Sequence, residues 1–207
     1  MSYEATLIAP PREKRSMLAV LGALGAGIAW IAWAVINART HGGLDAGPSA
    51  VGEPLTRIGT LLMIAWNVLL LPAALALGTE LAPRAPERMR VATLAGIASL
   101  LFWAFGGSTR TITPALEVTY IALSAVWWGG IGLTIRRERP WFGTFTLVLA
   151  AFAAWDAFLT AFVSVPFALY LTAAPKLPLS IVWDFWLAAE LLRGQAVKRE
   201  AAGESVN

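Results

Sequence analysis

Two aspartates occupy similar surroundings within the apolar part of this 207-residue chain. The segments 155–159 and 183–187 both read Trp-Asp-x-aromatic-Leu, and they carry Asp156 and Asp184. An ionisable residue within a membrane-spanning helix is costly and usually faces the interior of the bundle, so each aspartate is a candidate for binding a proton or a ligand. Five shared positions in a chain with ten tryptophans do not establish an internal repeat.

The expected helix positions place both aspartates in the outer half of a membrane. With a rise of about 1.5 Å per residue and an apolar core of about 30 Å, Asp156 lies about 22 Å from the inner surface and Asp184 about 9 Å from the outer one. We therefore predict a polar, Trp-lined cavity with the two carboxylates as its floor and Glu117, Arg57 and Arg110 at its rim. The further candidate residues for this ligand or proton site are Asn67, Trp103, Trp127, Trp155, Trp183 and Trp186.

The same aspartates have a structural interpretation. Either one could pair with an arginine or accept hydrogen bonds from tryptophan N–H groups and hydroxyls, and the residues alone do not decide between this pairing and a binding role. Their protonation state is equally open. The sequence motifs for nucleotide binding (GxxxxGK[ST]), zinc proteolysis (HExxH) and serine hydrolysis (GxSxG) are absent, and we assign no catalytic residue.

The residue content argues against metal and cofactor sites. The chain has no cysteine and one histidine, His41, which is expected in a loop. Bundle sites for haem or paired metals need several inward-facing His or Glu ligands. We therefore predict no metal and no cofactor.

The composition is that of a protein dissolved in lipid. Hydrophobic residues make up 57% of the chain and charged residues only 14%, whereas soluble domains carry about 25% charged residues. The net charge is +3, but the basic residues flank apolar segments, so membrane topology explains them better than nucleic acid does. We predict an integral membrane protein with membrane lipids, and no nucleic acid, as partners.

Six apolar stretches are candidates for spanning helices, so the predicted fold is an all-α bundle of six transmembrane helices in a single domain, 1–207. The proline-rich stretch 166–178 is expected to interrupt a straight helix, with 167–171 lying flat in the outer interface, and the tails 1–12 and 200–207 are expected to be disordered. The predicted spans are about 17–36, 55–77, 89–105, 114–135, 141–163 and 177–192.

The basic residues predict the orientation of the bundle. Of the 16 Lys and Arg residues, 12 fall in the two tails and in the second and fourth loops, and four fall in the opposite loops. Cytoplasmic loops carry the excess of basic residues, so both termini are predicted to be cytoplasmic. The first apolar run is too long for a cleaved signal peptide. The preference for Arg over Lys and the abundance of Ala and Gly suggest a bacterial cytoplasmic membrane.

Small residues in the first span predict close helix packing. Gly22 and Ala26 form a small-xxx-small pair, which packs within the chain more often than against a protein partner. Three functions stay open. The favoured one is binding of a small lipophilic ligand, or service as an accessory subunit. The alternatives are a proton-coupled transporter using Asp156 or Asp184, and a membrane enzyme using carboxylate acid–base chemistry on a lipid-like substrate.

Overall fold

The computed structural model describes residues 12–41, 54–109, 114–162 and 166–201. Every regular element within these residues is an α-helix, as the composition predicts. The helices are α1 (Arg12–His41), α2 (Pro54–Leu81), α3 (Pro86–Thr109), α4 (Pro114–Ile135), α5 (Pro140–Phe162) and α6 (Pro166–Ala201).

Five of the six helices begin at a proline. Proline suits the first turn because the N–H group that it lacks would have no partner there, and its fixed φ angle already matches the helix. The predicted start of the fifth span at residue 141 lies one residue after the observed start of α5 at Pro140. The prolines that begin helices are Pro54, Pro86, Pro114, Pro140 and Pro166.

The helices form a closed ring. Each one packs against the next in the chain, α6 returns to pack against α1, and α2 and α4 also touch. Short turns at 82–85 and 136–139 join α2 to α3 and α4 to α5. Both turns lie at the same end of the bundle, which we call the turn end.

The two turns have the same hydrogen bonding. The amide of Arg84 donates to the carbonyl of Leu81 at 3.0 Å, and the amide of Glu138 donates to the carbonyl of Ile135 at 3.0 Å. Arg84 and Glu138 are 54 residues apart, and their side chains form an ion pair at 2.5 Å. Equivalent positions of the two turns are thus joined directly.

Five helices match the prediction of membrane spans. Within the described residues, α1 to α5 each contain a stretch long and apolar enough to cross a membrane, which indicates a membrane-embedded protein. The predicted sixth span, 177–192, lies within α6, which is not one of these five. The stretches are 17–36, 57–81, 86–105, 115–135 and 140–162.

Three local features differ from the predictions. Residues 166–178 do not interrupt the helix, because α6 continues through Pro175 and Pro178. Each proline removes one backbone donor, and helices inside a bundle tolerate this where neighbouring groups satisfy the freed carbonyl. His41 is the last residue of α1 and not part of a loop. The tails 1–11 and 202–207 lie outside the described residues, whereas Arg12 and residues 200–201 are helical.

The small residues of α1 bring it close to α2. A Cβ atom added at Gly22 would lie 2.3 Å from the carbonyl oxygen of Leu69, and Ala26 is fully buried. The pair Gly22/Ala26 therefore packs inside the chain. Because lipid tails are as apolar as the side chains, the hydrophobic effect does not drive helices together within a membrane. Van der Waals packing at such close contacts is therefore a main source of helix association.

We expect Gly22→Ala to lower the free energy of unfolding by about 1–3 kcal/mol, since the backbone of α2 must move to admit the new methyl group. The matched control is Gly59→Ala, where the nearest atom is 3.8 Å away in the ring of Trp33. The control should be neutral, or stabilising by up to about 1 kcal/mol through its helix propensity. Tryptophan-fluorescence unfolding in mixed micelles measures both. Equal effects of the two substitutions would contradict close packing at Gly22.

Candidate functional site

Asp184 of α6 carries a carboxyl group in the interior of the bundle. Its side chain is fully buried, and its Oδ2 atom accepts a hydrogen bond from Nε1 of Trp66 at 2.9 Å. Its Oδ1 atom has no hydrogen-bond partner among the described residues. A buried polar atom without a partner is costly. The vacant Oδ1 is therefore a place where a donor from outside the chain would be stabilised.

The tryptophan that donates to this carboxyl group, Trp66, belongs to a stack of three. The ring of Trp66 stacks on that of Trp30 with centroids 4.9 Å apart, and Trp30 stacks on Trp33 at 4.5 Å. Nε1 of Trp30 donates to Oγ of Ser180 at 2.8 Å, one helical turn before Asp184. Helices α1, α2 and α6 thus build the site together. Trp30 and Trp66 were not among the predicted site residues, because their contacts with α6 join residues more than 100 positions apart in the sequence.

A second aromatic group packs on the neighbouring residue, Trp183. Trp183 is fully buried, and its Nε1 donates to Oγ1 of Thr146 at 3.0 Å. Its ring meets Trp127 edge-on at 5.5 Å and Trp128 at 6.0 Å. The structure thus brings together two predicted site residues, Trp127 and Trp183. Nε1 of Trp128 has no hydrogen-bond partner within the described part of the chain.

Asn67, one of the candidate residues, also lies in the interior. Its side chain is fully buried, and Nδ2 donates to the carbonyl of Met63 at 2.8 Å. Its Oδ1 atom, like that of Asp184, has no partner among the described residues. The interior therefore contains unsatisfied acceptors on both α2 and α6.

Asp156 belongs to a separate site. Its carboxylate forms an ion pair with Nζ of Lys176, which lies in α6. Glu117 lies close enough for the charges of Asp156 and Lys176 to act on its carboxyl group. Lys176 precedes Asp184 by eight residues, which is about 12 Å along a helix. The structure thus groups Asp156 with Glu117 and gives Asp184 a different partner.

The remaining predicted residues are distributed around these two sites. Trp103 packs on Tyr120 with centroids 4.4 Å apart, and Trp186 donates to Oε1 of Glu190 at 3.2 Å. Arg57 is exposed at the start of α2, and Arg110 lies outside the described residues.

The two Trp-Asp motifs are not equivalent in three dimensions. Asp156 and Asp184 are both buried, but Trp155 is 54% exposed and stacks on Phe158, whereas Trp183 is fully buried. The same local pattern therefore directs one tryptophan outward and the other into the core.

Ion pairs connect the elements at the turn end. Glu190 of α6 is buried, and its carboxylate accepts from Arg139 at 2.7 Å and from Arg193 at 2.9 Å. Arg139 lies in the turn before α5, so the pair ties that turn to α6. The sequence offers no signal for this contact, since 51 residues separate Arg139 from Glu190. No cluster of metal-ligating side chains occurs in the described ranges.

These features define a polytopic helical membrane protein with a polar, Trp-rich interior. No family model, curated protein or solved structure matches the chain.

Proposed function

We propose that the chain is a six-span protein of the bacterial cytoplasmic membrane with both termini in the cytoplasm. The position of α6 supports the sixth span, since it packs against both α1 and α5 and closes the ring. Six arginines lie in the two turns and at the beginning of α3, which supports a cytoplasmic location for the turn end; they are Arg84, Arg88, Arg90, Arg136, Arg137 and Arg139.

Within this bundle, we propose that Asp184 binds a small lipophilic molecule that carries an O–H or N–H group. The observation that carries the proposal is the vacant Oδ1 atom on a fully buried carboxyl group. A ligand donor at this atom would remove an unsatisfied acceptor from a medium of low dielectric, where a hydrogen bond is strong. The ligand's apolar body would pack against the apolar side chains beside Asp184, among them the ring of Trp66.

Trp66 would orient the carboxyl group for this role. Its Nε1 donates to Oδ2, so Oδ1 is the atom left for a ligand. Trp66 is in turn held by its stack on Trp30, and Trp30 is held by its hydrogen bond to Ser180. Such outer contacts restrict the rotamer of a binding group before the ligand arrives, which lowers the entropic cost of binding.

The second candidate function is proton-coupled transport. It is favoured by the ionisable residues along α6, where Lys176, Asp184 and Glu190 follow one another toward the turn end. A buried carboxyl group between two ion-paired sites is suited to take up and release a proton. The acid–base enzyme alternative has less support, because Asp156 and Asp184 have separate partners.

Native mass spectrometry of the full chain, extracted from its own membrane in mild detergent, tests ligand binding. We expect a small stoichiometric adduct on the native chain, and its loss in Asp184→Leu because the acceptor is removed. Asp156→Asn is the matched control, since this carboxylate pairs with Lys176, and it should keep the adduct.

Two results would contradict ligand binding at Asp184. One is an adduct that survives Asp184→Leu. The other is a native chain without any adduct, in which case the transport alternative is measured as proton-linked flux in reconstituted vesicles. Flux that persists in Asp184→Asn would then exclude Asp184 as the proton site.

A further inference from the structure

A surface groove runs between α3 and α4 near the turn end. It has a volume of about 470 Å³, and its walls include Val91, Val126 and Leu133. Val91 is 58% exposed and Leu133 is 53% exposed, so no other described part of the chain covers them. In a membrane, lipid must fill such a groove.

Two glycines create the depression. A Cβ atom at Gly130 would lie 2.4 Å from the Cβ of Ala92, so the helices touch at the floor of the groove. At Gly129 the nearest atom is the Cβ of Ala150, at 3.8 Å. Gly129 therefore has room for a side chain, and its absence leaves the groove open.

Two oppositely charged residues line the end of the groove nearest the turn end, which we call its mouth. Glu87 and Arg88 lie in the first turn of α3, and both line the groove with exposed side chains. The ion pairs within the described residues involve neither of them. One carboxylate and one guanidinium group therefore lie side by side at the end of an apolar groove.

We propose that this groove binds one acyl chain of a phospholipid whose headgroup carries a phosphate and a primary amine, as in phosphatidylethanolamine. The guanidinium of Arg88 binds the phosphate, since arginine donors match phosphate oxygens well. The carboxylate of Glu87 accepts from the ammonium group. A headgroup with a phosphate alone satisfies only Arg88, and a quaternary choline has no N–H to donate to Glu87. This lipid site is independent of ligand binding at Asp184.

The groove's length fits part of an acyl chain. Val126 to Leu133 spans seven residues of α4, or about 10 Å. The half of the acyl chain nearest the headgroup can therefore lie between the helices, while the headgroup stays at the membrane surface. A phospholipid combines an acyl chain that fits the apolar groove with a charged headgroup that fits Glu87 and Arg88, which is why we assign the groove to a phospholipid.

The test uses the full chain in nanodiscs that contain equal parts of phosphatidylethanolamine, phosphatidylglycerol and phosphatidylcholine. Native mass spectrometry counts the lipids that remain bound after release from the disc. We expect one retained phosphatidylethanolamine in the native protein. Loss of a charge-assisted hydrogen bond in Arg88→Gln should lower this retention by about tenfold or more. Glu87→Gln should retain a lipid but shift the preference toward phosphatidylglycerol.

Two further variants separate this site from general lipid contact. Arg90→Gln is the matched control, because Arg90 is exposed on the same helix but does not line the groove, and its lipid retention should be unchanged. Gly129→Leu fills the groove and should displace the lipid. A thermal unfolding curve checks that this variant is folded. Equal retention in Arg88→Gln and Arg90→Gln, or equal retention of all three lipids by the native chain, would overturn the proposal.

Discussion

Trp183→Ala is expected to lower the free energy of unfolding by about 3–5 kcal/mol, the range found when large aromatic residues are truncated in well-packed cores. Trp183 is fully buried, and its ring contacts Trp127, Trp128 and Phe142. The substitution leaves a cavity among these rings. It also removes the donor to Oγ1 of Thr146.

The matched control is Trp155→Ala, the corresponding change in the other Trp-Asp motif. Trp155 is 54% exposed and stacks only on Phe158 among the described aromatic residues, so its loss should cost less than about 1 kcal/mol. Unfolding of the purified chain in mixed micelles, followed by circular dichroism, measures both variants. Similar losses for the two would show that Trp183 is not a core residue.

The second prediction concerns the hydrogen bond between Trp66 and Asp184. Trp66→Phe keeps an aromatic ring but removes the only described donor to this buried carboxyl group, so we expect a loss of about 1–3 kcal/mol. The double variant Trp66→Phe/Asp184→Leu removes the polar partner as well. Because no unsatisfied carboxyl group then remains, the double variant should regain most of the lost free energy of unfolding.

A double-mutant cycle in the same unfolding assay measures this coupling. The single variant Asp184→Leu completes the cycle and leaves only the Trp66 donor without a partner. The cycle also separates stability from binding, since the double variant should be folded and stable yet lack the adduct that Asp184 is proposed to bind. Additive effects of the two substitutions would mean that the hydrogen bond contributes nothing to folding.

The helices were largely predictable because their signals are local. An apolar run of about 20 residues specifies a spanning helix wherever it occurs, and the starts of α4 and α5 agree with the prediction to within one residue. The continuous α6 was not predicted. A proline forbids its own backbone hydrogen bond, but whether a helix continues past it depends on its neighbours.

At the candidate site, the residue type could be predicted from the sequence but its contacts could not. That Asp184 is a candidate functional residue could be inferred from its apolar surroundings, since a carboxyl group in a spanning helix is rare. The hydrogen-bond partner of Asp184 could not be inferred in this way. Trp66 precedes it by 118 residues, and nothing in the local sequence distinguishes Trp66 from the other tryptophans. Asp156 has the same local pattern as Asp184, yet its partner is Lys176.

The sequence by itself thus determined that the protein is helical and resides in a membrane, and which of its residues are costly to bury. These properties follow from the composition of each segment and from the solvent that it prefers. Only the tertiary structure decided which face of each helix points inward, and hence that Trp183 is buried and Trp155 exposed. Burial and hydrogen bonding in the core depend on how helices distant in sequence pack together, so the vacant oxygen of Asp184 became visible only in the folded ring.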